Sequence, residues 1–436
     1  MKDILVKHPT LGEGKIIDSR HLGYEYLVCF KSELTIWVKS NHLIFLEEPK
    51  NAINTTVSIS FPLSKLEKKG GREIVEAFRS GIVPTNWIKG WTVGRAKELA
   101  QVETWLYDQT SGTIVIKGEY GAGKTHLIEY LYHKAQMLNY AVARVSLDPF
   151  STQLAFPKMI YRELIQTLRL LQGEKTLNFR EILCILAKKQ ALTDHLIFGP
   201  FLKALREKQV TTSMWQWLEG FESSFCRFGG LYNHTTAANI YSYLLSGLSR
   251  ALVDCLDMSG LVLLFDELES SRLYRYMYEK ERGINFLWGL VLVANDEPDL
   301  LEERIIKTKH CYQGERRGLV YSGHRKIAYI YNLPTYLKVV FATTADFFLK
   351  DLMGEYNIYL LELESLEPHY LEHFFYRFTE LYYKVYGLKL TPKEKKDIFT
   401  LIKGYAHIST RLFIKAMVES LDFKRFYPTV DLKRLG

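Results

Sequence analysis

The sequence predicts an α/β fold: a parallel β-sheet covered by helices, with a small β module ahead of it and a helical segment behind it. Three stretches carry this expectation. The first is "GTIVIKGEYGAGKTHL" (112–127), a β-branched run that turns through glycines into a helix. The second and third are "LVLLFDE" (261–267) and "LKVVFATT" (337–344), short runs with largely apolar centres and polar ends. Such runs suit a sheet buried on both faces, where parallel strands are usually found.

The elements follow in chain order. Residues 1–48 alternate as short strands parted by turns do, in "YEYLVC" before Phe30 and in "ELTIWVKS", with Gly12 and Gly14 at turn positions. They predict a small barrel-like β module. Residues 49–69 are rich in Pro, Asn, Thr and Ser at their start and read as a linker. A core spans 70–366. "REIVEAFRSG" is an amphipathic helix ending at Gly81, and "RAKELAQVETWLYDQ" is another. "TIVIKG" (113–118) and "AVARVSL" (141–147) flank a helix, which makes a βαβ unit. Residues 157–257 form a mostly helical insertion. Residues 367–436 are helical, with Pro392 opening one helix.

Composition sets outer bounds. A chain of 436 residues suits two or three domains. With 47% hydrophobic and 24% charged residues it is a globular chain and not a disordered one. A net charge of +8 permits contact with nucleic acid or acidic partners. Cys29, Cys184, Cys226, Cys255 and Cys311 are scattered without a CxxC pair, which argues against a disulfide framework or a zinc site. The opening "MKDILVKHPTLGEG" lacks a signal peptide's apolar run, and no run approaches the roughly 20 residues that span a membrane. A cytoplasmic protein with no membrane partner is the expectation.

The chemistry starts at Gly118–Thr125, which fits G-x-x-x-x-G-K-S/T in full. Its glycines let backbone N–H groups point inward at phosphates, and the following helix adds the positive end of its dipole. The candidate nucleotide contacts are Gly118, Glu119, Tyr120, Gly121, Ala122, Gly123, Lys124, Thr125 and His126. Lys124 would reach the β- and γ-phosphates, and Thr125 would ligate Mg²⁺. Asp266, at the carboxyl end of "LVLLFDE", would hold the same Mg²⁺, directly or through water. Glu267 could polarise a water for attack on the γ-phosphate. Small-molecule kinases usually lack this Asp-Glu pair, so ATP as fuel is favoured over ATP as phosphoryl donor. Glu269 reads as a solvated or partner-facing acid.

Other stretches stay open between two readings. Thr343 and Thr344 could place a hydroxyl between the phosphate loop and the acidic strand end, or simply cap a helix starting near Ala345. "TVGRAKEL" is similar to a Gly-Arg before an acidic helix that lies against the adenine in many AAA+ and related ATPases, which would put Gly94 and Arg95 there, or it is an ordinary helix entry. Arg411, in "ISTRLFIKAMVESLD", resembles the arginine that AAA+ lids fold over the γ-phosphate, or it is a surface arginine. Residues 304–326 hold seven Lys or Arg against one Glu, interleaved with Tyr312 and Tyr321. They suggest a projecting hairpin that contacts a phosphate backbone, completes a neighbour's site, or is a solvated loop.

Taken in order, "REIVEAFRSGIVP", "TVGRAKEL", "IKGEYGAGKTHLIEYL", "VARVSLDP", "WQWLEGFE", "GLVLLFDELES" and "RLFIKAMVESLD" resemble the P-loop ATP-binding proteins of BREX phage-defence systems, a branch close to the origin-recognition-like AAA+ ATPases. The resemblance covers 71–425. It implies an AAA+-type P-loop NTPase core with a C-terminal helical lid, ATP and Mg²⁺ as cofactors, and defence-system partners such as a helicase or DNA modification enzyme acting on DNA. It also implicates Gly118, Gly121, Gly123, Lys124, Thr125, Asp266 and Glu267. One departure concerns the arginine finger of AAA+ rings, expected near the sensor strand: no Arg lies between Arg325 and Arg377. Arg316, Arg317 or Arg325 would have to substitute, or a homo-oligomer would lack trans-activation. Residues 1–48 are similar to the small SH3/Tudor-like barrel at the tail of UvrD-type helicases, on "VKHPTLGEGKII", "YLVCF" and "LTIWVKSNHLIFLE". In those proteins that barrel contacts partner proteins or DNA.

Overall fold

A computed structural model describes residues 5–8, 11–20, 25–31, 34–39, 44–45, 63, 66–222, 229–273, 276–344 and 357–430. The chain divides into two compact units, Met1–Ile59 and Ser60–Gly436. Most of the expected linker 49–69 lies outside the described residues, as does Cys226.

The first unit is an antiparallel sheet of β1 (Leu5–His8), β2 (Gly12–Arg20), β3 (Glu25–Phe30), β4 (Thr35–Lys39) and β5 (Ile44–Phe45), in the order β4-β3-β2-β1-β5. Val6, Ile16, Val28, Phe30 and Val38 point to its small core. Among the described residues the end strands β4 and β5 do not pair, so the sheet is open and the expected closed barrel is not found. A register shift between Ile16 and Asp18 bends β2 against β3, as a bulge does.

The second unit is built on five parallel strands: β6 (Thr113–Gly118), β7 (Tyr140–Ser146), β10 (Gly260–Asp266), β14 (Leu337–Thr343) and β15 (Ile358–Leu363). Their order is β15-β6-β14-β10-β7, every pair parallel. Four lie where the sequence places strands. The edge strand β15 was not expected: its first residues are only half-buried, and its run is short.

Both faces of the sheet are covered, as its apolar strands require. Leu261, Leu263 and Phe265 share one cluster with Val339 and Phe341 and with Leu244, Leu248, Phe286 and Leu290 of α8 (Ala238–Leu256) and α9 (Met277–Ala294). The alternate residues Val262, Leu264, Val340 and Ala342 are buried as well. Further cover comes from α3 (Lys124–Met137), which packs on β6, β14, β10 and β7, and from α2 (Ala96–Tyr107), which packs on β15 and α3. Between β7 and β10 run α4 (Pro157–Thr167), a hairpin of β8 (Leu170–Gln172) and β9 (Lys175–Leu177), α5 (Phe179–Lys188), α6 (Phe198–Arg206), α7 (Thr212–Leu218) and α8. Asn178 and Glu181 form a capping box at the start of α5.

The C-terminal helices are α10 (Pro368–Tyr386), α11 (Pro392–Ile402) and α12 (Thr410–Phe426). Each start has a local cause: Pro at the first turn of α10 and α11, a Thr391–Glu394 capping box, and Ser409 accepting from the Leu412 N–H. Their apolar faces close on α1 (Lys68–Arg79): Ile74, Val75 and Phe78 join Phe375, Phe378, Leu381, Phe413, Met417 and Leu421 in one core. Arg79 grips Asp422 through two nitrogens at 2.9 and 3.0 Å, tying the first of these helices to the last.

Residues 304–326 do not form the expected projecting hairpin. They fold as a three-stranded antiparallel meander of β11 (Ile305–Lys307), β12 (Tyr312–Gly314) and β13 (Val320–Tyr321). Tyr321 is fully buried, and the Val320 N–H donates to Asn285 of α9 at 2.7 Å. Among the described residues no helix is long and apolar enough to cross a membrane.

Candidate functional site

The cleft at the carboxyl ends of the parallel strands collects most of the residues picked out from the sequence. Gly121 (φ +80°) and Gly123 (φ +103°) take left-handed backbone that side chains disfavour, and this turns β6 into α3. Gly121 also has no room for a side chain, because a Cβ there would lie 2.7 Å from Ser409 Cβ. The C-terminal helices therefore sit directly against the phosphate loop.

Lys124 is only 8% exposed. Its Nζ donates to the carbonyls of Gly118 (2.8 Å) and Glu119 (3.1 Å). Burial lowers its pKa from the ordinary lysine value, against the opposing pull of Glu269, Asp266, Glu119 and Glu267. One strand away from β6, with β14 between, β10 delivers Asp266. Burial raises the Asp266 pKa above the usual aspartate value, against the opposing pull of the Thr125 hydroxyl and of the Glu267 N–H, which donates to its carboxylate at 2.9 Å. Opposed shifts in one cleft mark a place where charge is held out of water without full neutralisation.

Glu267 has a φ of +59°, a rare backbone state for a non-glycine residue. The Ser146 Oγ–H, at the end of β7, donates to its carboxylate at 3.1 Å. Thr343 is fully buried at the end of β14, and the Thr344 N–H donates to Glu269 at 3.2 Å. The helix that these threonines were expected to cap lies outside the described residues. Glu269 lines the cleft beside Asp266 and Glu267, instead of facing solvent or a partner as its sequence suggested.

Arg95 braces the loop. Its Nη2 donates to the carbonyls of Ala122 (2.8 Å) and Glu364 (2.7 Å), while Nη1 meets Glu98 at 2.8 Å. Gly94 lies under Tyr370, where a Cβ would approach the ring to 2.6 Å. His126 is half-buried, and burial, then Arg95, pushes its pKa down to about 4. Thr92 spends its hydroxyl proton on the Ile88 carbonyl (2.9 Å), so the neutral His126 donates from Nε2 to Thr92 Oγ1 at 2.8 Å. Arg411, at the start of α12, donates to the Tyr120 hydroxyl at 2.5 Å and lies 5.3 Å from that ring's centre.

Beyond the loop the cleft becomes apolar. Phe78, Ile82, Val83 and Pro84 from the α1 end, Trp91 and Val93, and Leu366, Leu371, Phe374 and Ile414 line it. One end thus offers N–H groups, a lysine and oxygen ligands, and the other an apolar slot. Residues 66–186 match the family model described as BREX system ATP-binding protein BrxC/D. The matched span is just over a quarter of the chain and holds α1, Arg95 and the whole BREX-matched phosphate loop, but ends before β10. No curated protein matches the chain.

The proposed arginine fingers of the meander lie elsewhere. Arg316 meets Asp299 at 2.8 Å, and Arg317 meets Glu297 (2.8 Å) and Asp299 (3.1 Å). Arg304 lies 3.7 Å from Glu315. None of Arg316, Arg317 and Arg325 lines the cleft. Sequence reasoning missed Glu269 and the apolar residues as lining of the cleft, and Ser146, Glu364 and Ser409 as the neighbours that touch Glu267, Arg95 and Gly121. The signal available for Ser146 was a polar residue ending the strand "YAVARVS".

Proposed function

We propose that the chain is a Mg²⁺-dependent ATPase of the AAA+ type, with residues 367–436 as its lid, working in the cytoplasm within a BREX-like defence system. The observation that carries this reading is that Lys124 and Thr125 of the phosphate loop line one cleft with Asp266 and Glu267, the Lys124 side chain buried and Glu267 held by Ser146. The BrxC/D match over 66–186 supports ATP as the ligand. The apolar slot suits a purine base, and the loop end suits the triphosphate.

The donor set fits Mg²⁺. Thr125 and Asp266 offer hard oxygen ligands, and among the described residues no cluster of three or more His, Cys, Asp or Glu forms an all-protein cage. That is the pattern of a cation shared between one or two side chains and substrate phosphates. When bound, Mg²⁺ supplies charge neutralisation at the β- and γ-phosphates. The remaining steps belong to the chain. Lys124 exchanges its carbonyl partners for phosphate oxygens, and Glu267 orients a water and takes its proton. Glu269 and the Thr343–Thr344 strand end fix the far side of that water. Arg411 swings from Tyr120 toward the γ-phosphate as the lid closes, while Arg95 keeps the loop in shape.

Hydrolysis would drive assembly or loading of defence partners, such as a helicase or a DNA modification enzyme, on DNA. The first unit, read as an SH3/Tudor-like module, would serve as a docking element, and a homo-oligomer would supply any finger in trans. The second reading is a nucleotide-gated scaffold with little turnover. The pairing of Arg316 and Arg317 with acids favours it, because these arginines have little charge left to offer a neighbour's phosphate. Phosphate release from ATP, measured with and without Mg²⁺ and DNA, separates the two. Turnover that needs Mg²⁺ and rises with DNA supports the ATPase. ATP binding without turnover under every condition supports the scaffold.

A further inference from the structure

Core aromatic pairs of this protein are tilted or edge-on, as Phe265 and Phe341 (49°) or Tyr321 and Tyr329 (89°) are. Nearly parallel rings occur in the pair Tyr276–Tyr278 (19°) and in one cluster of three. Tyr232, His234 and His324 lie nearly parallel, with interplanar angles of 14°, 28° and 24° and ring centres 4.6 to 5.5 Å apart. Both histidines are exposed. Two residues on from His324, the exposed Lys326 holds its ammonium 4.0 Å from the centre of the Tyr312 ring, against which a Cβ on Gly323 would lie 3.0 Å away.

The cluster is held in place from below. Buried Asn239 accepts from the Ser322 N–H at 3.0 Å and donates to the carbonyls of Arg325 and Ile327, each at 2.9 Å. Ser322 Oγ accepts from the His324 N–H at 3.3 Å, Tyr241 donates to the Tyr232 carbonyl at 2.9 Å, and Trp217 donates to the Gly229 carbonyl at 3.0 Å. The two loops that carry the rings are therefore both fixed to α8, and the first also to α7. Such anchoring is unneeded for solvated side chains and suits rings that must present a set plane.

We propose that Tyr232, His234 and His324 form a stacking platform for the bases of single-stranded nucleic acid, with Lys326 beside them for the backbone. The three ring centres form a triangle, so the near-parallel rings together present a broad face on which a base can lie, and every base has such a face, so the site reads no sequence. The adjacent cation supplies the phosphate contact. The proposal rests on the reading that this ATPase works on DNA, and gives that reading a place on the surface.

The test is fluorescence anisotropy of the full chain with a labelled oligothymidylate about 16 nucleotides long. The same oligomer with abasic positions, a duplex of equal length and an oligouridylate complete the panel. His234→Ala/His324→Ala should weaken oligothymidylate binding about tenfold or more, and His324→Phe should restore most of it. The abasic oligomer should lose a similar factor on the wild-type protein and be insensitive to the double variant. An equal loss on oligouridylate assigns the site to single strands of either sugar. Unchanged oligothymidylate binding by the folded double variant, or full-strength binding of the abasic oligomer by the wild-type chain, overturns the platform while leaving DNA as a partner. If the wild-type chain binds none of these polymers, the DNA reading falls, and the platform falls with it.

Discussion

Lys124 in the cleft is a buried cation and Arg317 in the meander a partly buried one, and they are held in opposite ways. Lys124 gives hydrogen bonds to two backbone carbonyls, and burial lowers its pKa. Arg317 is closed between Glu297 and Asp299, and its own N–H donates to Glu303 at 2.7 Å. A buried charge resting on neutral oxygens gains when an anionic ligand arrives, whereas one already neutralised by carboxylates gains little. The same contrast appears among the acids: Asp266 has its pKa raised by burial, while Glu297 and Asp299 each meet an arginine. The cleft is arranged to bind, and the meander is arranged to hold itself together.

Breaking the two arrangements should therefore have different consequences. The largest effect is expected from Lys124→Ala, which should cost about a hundredfold or more in ATP affinity by titration calorimetry. Its melting temperature without nucleotide should stay near that of the wild type. Arg317→Ala should do the reverse, lowering stability by about 1–3 kcal/mol in urea unfolding while ATP binding stays the same. An ATP-binding defect in folded Arg317→Ala would mean that the meander is part of the site.

Asp266→Asn sharpens the comparison through pH. An aspartate whose folded pKa is raised stabilises the fold below its unfolded pKa, near 3.8, and loses that contribution as pH rises through the folded value. At neutral pH the buried carboxylate thus weighs against the nucleotide-free protein, and a neutral amide does not. Asp266→Asn should melt a few degrees higher than wild type at pH 7, with the gain shrinking toward pH 4, and should lose the stabilisation by Mg²⁺ and ATP. A variant that melts lower at pH 7 would show a carboxylate better satisfied than its burial implies. The smallest effect belongs to Arg316→Ala, whose pair with Asp299 is 60% exposed on the arginine side. It should cost less than about 1 kcal/mol, and less still in high salt.

How legible each region was follows from the same physics. The phosphate loop was legible because its strand, turn and helix are contiguous, and Asp266–Glu267 because it ends an apolar run. Four of the five parallel strands were visible as such runs. The fifth, Ile358–Leu363, is a short edge strand with half-buried residues, and little in its local pattern separates it from a loop. In the meander, seven basic residues against one acid gave a misleading balance. The acids that pair with Arg316 and Arg317, Glu297 and Asp299, lie just upstream of the window in which the charges were counted. Ser146 and Glu269 were missed because each is defined by a partner on another strand end. The apolar slot was invisible for a related reason: Phe78 and Ile414 come from opposite ends of the second unit, and only the shared core of α1, α10 and α12 brings them together.

The central claim is that the cleft spends ATP, and Glu267→Gln tests it most directly. The amide keeps the shape of the side chain and removes its capacity to take a proton. The account predicts that Glu267→Gln binds ATP and Mg²⁺ within a few-fold of the wild type, while its turnover falls by about 10²–10⁴-fold. Hydrolysis by the purified variant at the wild-type rate would contradict it.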